Sequence, residues 1–175
     1  VSTANSTNAI GLVQTLSACP NLPGSLTSSA VTSSTATISW TAASPAPGSG
    51  YEYYYNTTGT APTGSTTPSG STAAGVVTAN LTSLSSATQY YFWVRSNCNG
   101  TDKSSWVGSA TFTTACATIT SFPWNEGFEG LATVSSTIFP ACWLEGTGTN
   151  WRSQDASTSS YNDPRTGSKY IGCVY

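Results

Sequence analysis

The side chains that could do chemistry are few and far apart. Seven carboxylates stand at Glu52, Asp102, Glu126, Glu129, Glu145, Asp155 and Asp163, five cysteines at Cys19, Cys98, Cys116, Cys142 and Cys173, and there is no histidine. Without histidine the chain can build no Ser-His-Asp triad, and it lacks the side chain whose ordinary pKa suits proton transfer near neutral pH. No Gly-x-Ser-x-Gly nucleophile elbow occurs. A glycosidase needs two carboxylates facing each other across a cleft. Glu126 and Glu129 are too close in sequence and would point to opposite faces of a strand. The expectation is a protein that is not an enzyme. The cysteines include no Cys-x-x-Cys pair, which argues against a Cys/His zinc site and for disulfides. Disulfides imply an oxidising compartment, so the chain is expected to be secreted or displayed at an extracellular cell surface.

The elements that must position these residues are built from an unusual composition. Charged residues are 7% of the 175 residues, against about a quarter in an ordinary globular domain, and Ser and Thr together supply roughly a third. The surface is therefore polar but mostly uncharged. A net charge of -2 with five Lys and Arg leaves no basic footprint, so nucleic acid is not an expected partner. Nine Tyr, six Trp and five Phe supply material for a compact core. No apolar run reaches the length of a membrane span. No charged start leads into an apolar core at Val1, so any export signal was removed or lies outside this sequence. Four Asn-x-Ser/Thr sequons, at Asn5, Asn56, Asn80 and Asn99, are candidate glycan acceptors, and glycans would solvate a surface so poor in charge.

Three regions separate along the chain. Residues 1–18 form a polar lead with one short apolar strand candidate, Ala9 to Leu16. From Cys19 to Thr114, strand-sized runs recur with Pro, Gly, Ser and Asn clusters between them, and no helical period appears. In "TATISWT", Ile38 and Trp40 share one face. In "YEYYYN", Tyr51, Tyr53 and Tyr55 share the core face while Glu52 and Tyr54 point away. Leu84, then Thr88, Tyr90, Phe92 and Val94, followed by "SSWVGSATFTT", resemble the fibronectin type III pattern. The resemblance covers residues 19–114 and implies an all-β, immunoglobulin-like sandwich with Tyr90 as a tyrosine corner. It also brings the start of the first strand beside the loop after the sixth, which implies a Cys19–Cys98 disulfide.

Residues 115–175 contain Phe128 and Glu129, Pro140, Cys142 and Trp143, Trp151, and Gly167 to Tyr170 in that order. This resembles the N-terminal part of a MAM-like or cleaved-adhesin jelly roll, as found after fibronectin type III domains in bacterial surface adhesins exported by the type IX system. Strands are expected near Phe122 to Phe128, Cys142 to Leu144, Asn150 to Arg152 and Lys169 to Tyr175. Four strands are half of a jelly roll, so the domain is expected to be partial, completed by further sequence or by another copy. If Cys116 pairs with Cys142, Cys173 is left as a buried free thiol or an intermolecular partner. Ala9 to Leu16 then reads either as the last strand of a preceding domain or as a donor strand that completes a neighbour.

The same resemblance implies calcium as the one cofactor to consider, with Glu129, Asp155 and Asp163 as ligands. Trp151 and Tyr161 are glycan-stacking candidates, whereas Trp143 after its cysteine reads as core. The function these expectations converge on is a structural or adhesive subunit of a bacterial surface filament or stalk, self-associating through strand exchange or domain stacking. The alternative is a carbohydrate-binding accessory region of a longer secreted adhesin or hydrolase, with surface glycans as partners.

Overall fold

A computed structural model describes residues 19–123, 127–129, 142–143, 151–155 and 169–173. The donor-strand candidate in residues 1–18 lies outside them. By internal packing the chain divides into two units, 1–29 with 37–81 and 90–112, and 30–36 with 82–89 and 113–175.

The first unit holds most of two sheets. Strands β1 (Gly24–Ser29), β2 (Ala36–Thr41) and β5 (Thr78–Leu81) form one sheet in the order β1-β2-β5. Strands β3 (Tyr51–Asn56), β4 (Gly70–Thr72), β6 (Gln89–Ser96) and β7 (Val107–Thr113) form the other in the order β4-β3-β6-β7. No helix occurs among the described residues. The strands form because β-branched and aromatic residues alternate with Ser and Thr and are bounded by Pro and Gly turns, which favours a half-buried pleated surface over a helix.

Period two explains the core. In β2, Ala36, Ile38 and Trp40 are buried and Thr37 and Ser39 are half-exposed. Trp40 meets Tyr51 of the facing sheet edge to face at 5.4 Å, and the Tyr51 hydroxyl accepts the Ala43 backbone N–H at 2.9 Å. Phe92, Val94 and Tyr51 are fully buried. Phe112 of β7 stacks on Tyr90 at 5.5 Å and lies 6.2 Å from Phe92. Of the tyrosine stripe in β3, Tyr51 is buried and Tyr53 and Tyr55 are half-buried. Tyr53 lies over Gly70 of the short edge strand β4, where a Cβ would run into its ring.

In the second unit, short backbone bonds tie three segments together. Leu84 N–H donates to Ser34 O, Ala87 N–H to Ala115 O, and Ala115 N–H to Thr32 O, each at 3.0–3.1 Å. Thr114 is buried, donating its N–H to Thr88 O and its hydroxyl to Ser85 O. Further on, β8 (Trp151–Asp155) and β9 (Lys169–Cys173) pair antiparallel, with Trp151 opposite Cys173. Phe122 and Pro123, expected in a strand, are exposed and lie in a bend, and Gly127 and Phe128 are likewise outside any strand. The Phe-Pro step explains this, because proline removes a ladder donor.

Candidate functional site

The most organised polar cluster of the first unit lies on the outward face of the four-stranded sheet. Register places Glu52 of β3 directly opposite Arg95 of β6. The Arg95 guanidinium donates from Nε to Glu52 Oε2 at 2.7 Å, and its Nη2 sits 2.7 Å from the same oxygen. Lys103, in the loop before β7, brings its ammonium 2.8 Å from Oε1. Both carboxylate oxygens are thus engaged, with the Glu52 side chain 10% exposed and that of Arg95 6% exposed.

Burial pushes the Glu52 pKa up, but the hydrogen bonds and positive charges of Lys103 and Arg95 outweigh it and hold the carboxyl below its ordinary value. Aromatic rings close over the cluster. The Arg95 guanidinium carbon lies 4.3 Å from the centroid of the Trp106 ring, a cation–π contact. Tyr54 approaches both Trp93 and Trp106 at 6.1 and 6.3 Å. The loop before β4 completes the cover, since Arg95 Nη1 donates to Gly64 O at 3.0 Å and Trp106 Nε1 to Thr63 O at 2.9 Å.

Beside this cover runs an open cleft of about 450 Å³ lined by Pro62, Gly64, Lys103, Ser104, Ser105 and Trp106. Its polar groups are largely committed. Lys103 is paired with Glu52, and the Ser104 hydroxyl accepts the Ser96 N–H at 2.8 Å and donates to Ser105 O. What the arrangement does chemically is hold a loop to a sheet. A carboxylate held ionised by two cations is a poor general acid or base near neutral pH.

The disulfides lie elsewhere. Cys19 and Cys98 are bonded with their Cα atoms 5.6 Å apart, and Cys116 and Cys142 with theirs 5.7 Å apart. Cys173 ends β9. The sequons differ in their surroundings. Asn56 is half-buried and folded into a turn, its Nδ2 donating to Thr60 O and its Oδ1 accepting Gly59 N–H. Asn99 caps its own turn, Nδ2 lying on Asp102 Oδ2 and Oδ1 accepting Thr101 and Asp102 N–H. Asn80 is exposed on β5, where its Oδ1 accepts the Thr37 hydroxyl. Asn5 lies outside the described residues.

Of the calcium candidates, Glu129 is exposed, Asp155 ends β8 and Asp163 lies outside the described residues, among which no cluster of three metal-ligating side chains occurs. Trp151 begins β8, and Tyr161 lies outside the described residues. Trp143 is exposed and meets Phe128 edge to face at 5.4 Å. Sequence reasoning missed the Glu52–Arg95–Lys103 cluster. The signal was present in a single charge embedded among aromatics in each of two strands, "YEYYY" and "YYFWVRS".

Comparison with known proteins follows from this geometry. No curated protein sequence matches the chain. Among solved structures it is similar to the fibronectin type III domain of human collagen alpha-1(XX), at 23% identity over 62% of this chain and 98% of that one, with a TM-score of 0.45. It is similar to a domain of human fibronectin type III domain containing protein 3, at 20% identity over 59% and 94% with a TM-score of 0.48. A two-domain segment of chicken tenascin matches at 22% identity over 53% of this chain with a TM-score of 0.44, and the match spans 49% of the tenascin segment. The family model of the fibronectin type III domain matches residues 21–111, just over half of the chain, and the chain therefore belongs to the fibronectin type III family.

Proposed function

We propose that this protein is an extracellular structural or adhesive module, a subunit of a surface filament or stalk. The observation that carries the reading is the Cys19–Cys98 disulfide, which closes a sequence separation of 79 residues around a core that is already fully buried. A cross-link of that span stabilises the fold by about 4 kcal/mol in the chain-entropy model, and such bridges are typical of oxidising compartments. The nearly uncharged, hydroxyl-rich composition supports the same setting. The organised polar cluster fits it too, since its charges are neutralised internally and fasten loops to a sheet.

Self-association belongs to this reading, and so does a partial jelly-roll continuation after residue 114, as in surface adhesins exported by the type IX system. The pairing of β8 with β9 supports strand structure in that region. Light scattering and electron microscopy of the purified chain test the proposal. Regular filaments or defined oligomers are expected. A monomer at every concentration would overturn it, and assembly that survives deletion of residues 1–18 unchanged would overturn strand donation by that segment.

A further inference from the structure

We infer that the two disulfides make this chain an extension-limited tether, in which β7 is the one strand of the two large sheets that tension can draw out. The inference follows from where the bridges sit along the chain. Tension entering ahead of Cys19 crosses the first disulfide to Cys98 and bypasses the residues between them. Those residues include β1 to β6 and most of the buried core. Tension leaving past Cys142 has crossed the second disulfide from Cys116. Between the bridges only residues 98–116 remain in the line of force, and β7 is the only strand they contain.

The lengths decide what such a chain can do. A fully extended residue spans about 3.5 Å, so the residues between the bridges release about 60 Å at most. The 79 residues closed by Cys19–Cys98 would otherwise add about 270 Å. The 26 residues closed by Cys116–Cys142 would add about 90 Å.

The short segment left in the line of force is fastened along its length. At its start Ser104 N–H donates to Ser96 O at 3.0 Å, Lys103 is paired with Glu52, and the Trp106 indole N–H is bonded to Thr63 O. Toward its end Phe112 is buried against Tyr90 and Phe92. At its end Thr114 and Thr88 exchange bonds, and Ala115 both donates to Thr32 O and accepts from Ala87 N–H. The ion cluster and the Trp106 cover, which have no evident chemical task, thereby gain a mechanical one: they secure the N-terminal approach to β7. Biological use of the tether rests on the surface-module reading above, whereas its mechanics do not.

Single-molecule pulling of the full chain, with handles at residues 1 and 175, tests the inference. The wild type is expected to release no more than about 60 Å from residues 19–142. The Cys19→Ser/Cys98→Ser variant should release about 270 Å more, and Cys116→Ser/Cys142→Ser about 90 Å more. A wild-type trace that releases several hundred ångströms from that span overturns the inference without reference to either variant, so a variant that fails to fold does not blur the result. The assembly experiment is separate. Short release in a chain that stays monomeric overturns the filament reading alone, and long release in a chain that assembles overturns the tether alone.

Discussion

Replacing Glu52 by Gln removes one charge and leaves the shape of the site. Arg95, with a side chain 6% exposed, cannot reach water without moving the loop and ring above it, whereas Lys103 at 20% can swing outward. Breaking a buried pair by removing one partner destabilises by about 3–5 kcal/mol when the remaining charge is stranded. Here Arg95 keeps the Gly64 carbonyl and the Trp106 ring, and Gln keeps an acceptor oxygen. The expected loss is therefore at or just below the bottom of that range, about 2–3 kcal/mol. For a domain of this size that is a fall in Tm of roughly 10–20 °C.

The sign of the pH dependence follows from the depressed carboxyl. Stability from ionised Glu52 is fully present above its unfolded pKa of about 4.3 and is lost as pH falls through the lower folded value. Urea unfolding followed by tryptophan fluorescence at pH 7 and at stepped lower values measures both effects. The gap between wild type and Glu52→Gln should be widest near neutrality and close in acid. A gap below about 0.5 kcal/mol at pH 7, or one unchanged down to pH 2, would refute the reasoning.

Other substitutions read different parts of the account. Phe92→Ala, at a fully buried position against Phe112, should destabilise by about 3–5 kcal/mol in the same unfolding assay. Tyr51→Phe strands the Ala43 N–H in a buried place and should lose about 1–2 kcal/mol, with amide exchange at Ala43 accelerated. Gly50→Ala forces a side chain onto backbone with φ of 81° and into Thr72 O, so a loss of more than about 2 kcal/mol is expected from thermal denaturation. The Cys19→Ser/Cys98→Ser variant should lose about 4 kcal/mol, and equal denaturation midpoints for it and the wild type would show that the bridge does not stabilise the fold.

How much of this was legible in the sequence depends on which physical rule governs each residue. Ile38 and Trp40 were legible because a strand with one buried face must alternate, and they are buried while Thr37 and Ser39 are not. Tyr90, Phe92 and Val94 follow the same rule. Their neighbours Trp93 and Arg95, which alternation assigns to solvent, are also buried, at 4% and 5% exposure. The reason is non-local: the loop containing Thr63 and Gly64, together with Trp106, folds over that face. Period two reports which face a residue is on and is silent about what covers the face. Glu52 read as one scattered carboxylate for the same reason, since its partner Arg95 is 43 residues away and is brought opposite by strand register. Residue identity alone ranked the sequons Asn56, Asn80 and Asn99 equally. Their surroundings differ because two of them are used to build turns.

The most direct test of the central claim, a disulfide-stapled extracellular module, is a non-reducing tryptic map of the protein from its native source with free thiols blocked on isolation. Cleavage after Arg95 and Lys103 puts Cys19 and Cys98 on separate peptides, one ending at Arg95 and the other spanning residues 96–103. The account predicts that these two peptides run as one linked species that separates on reduction. Recovery of both with their cysteines blocked would contradict it.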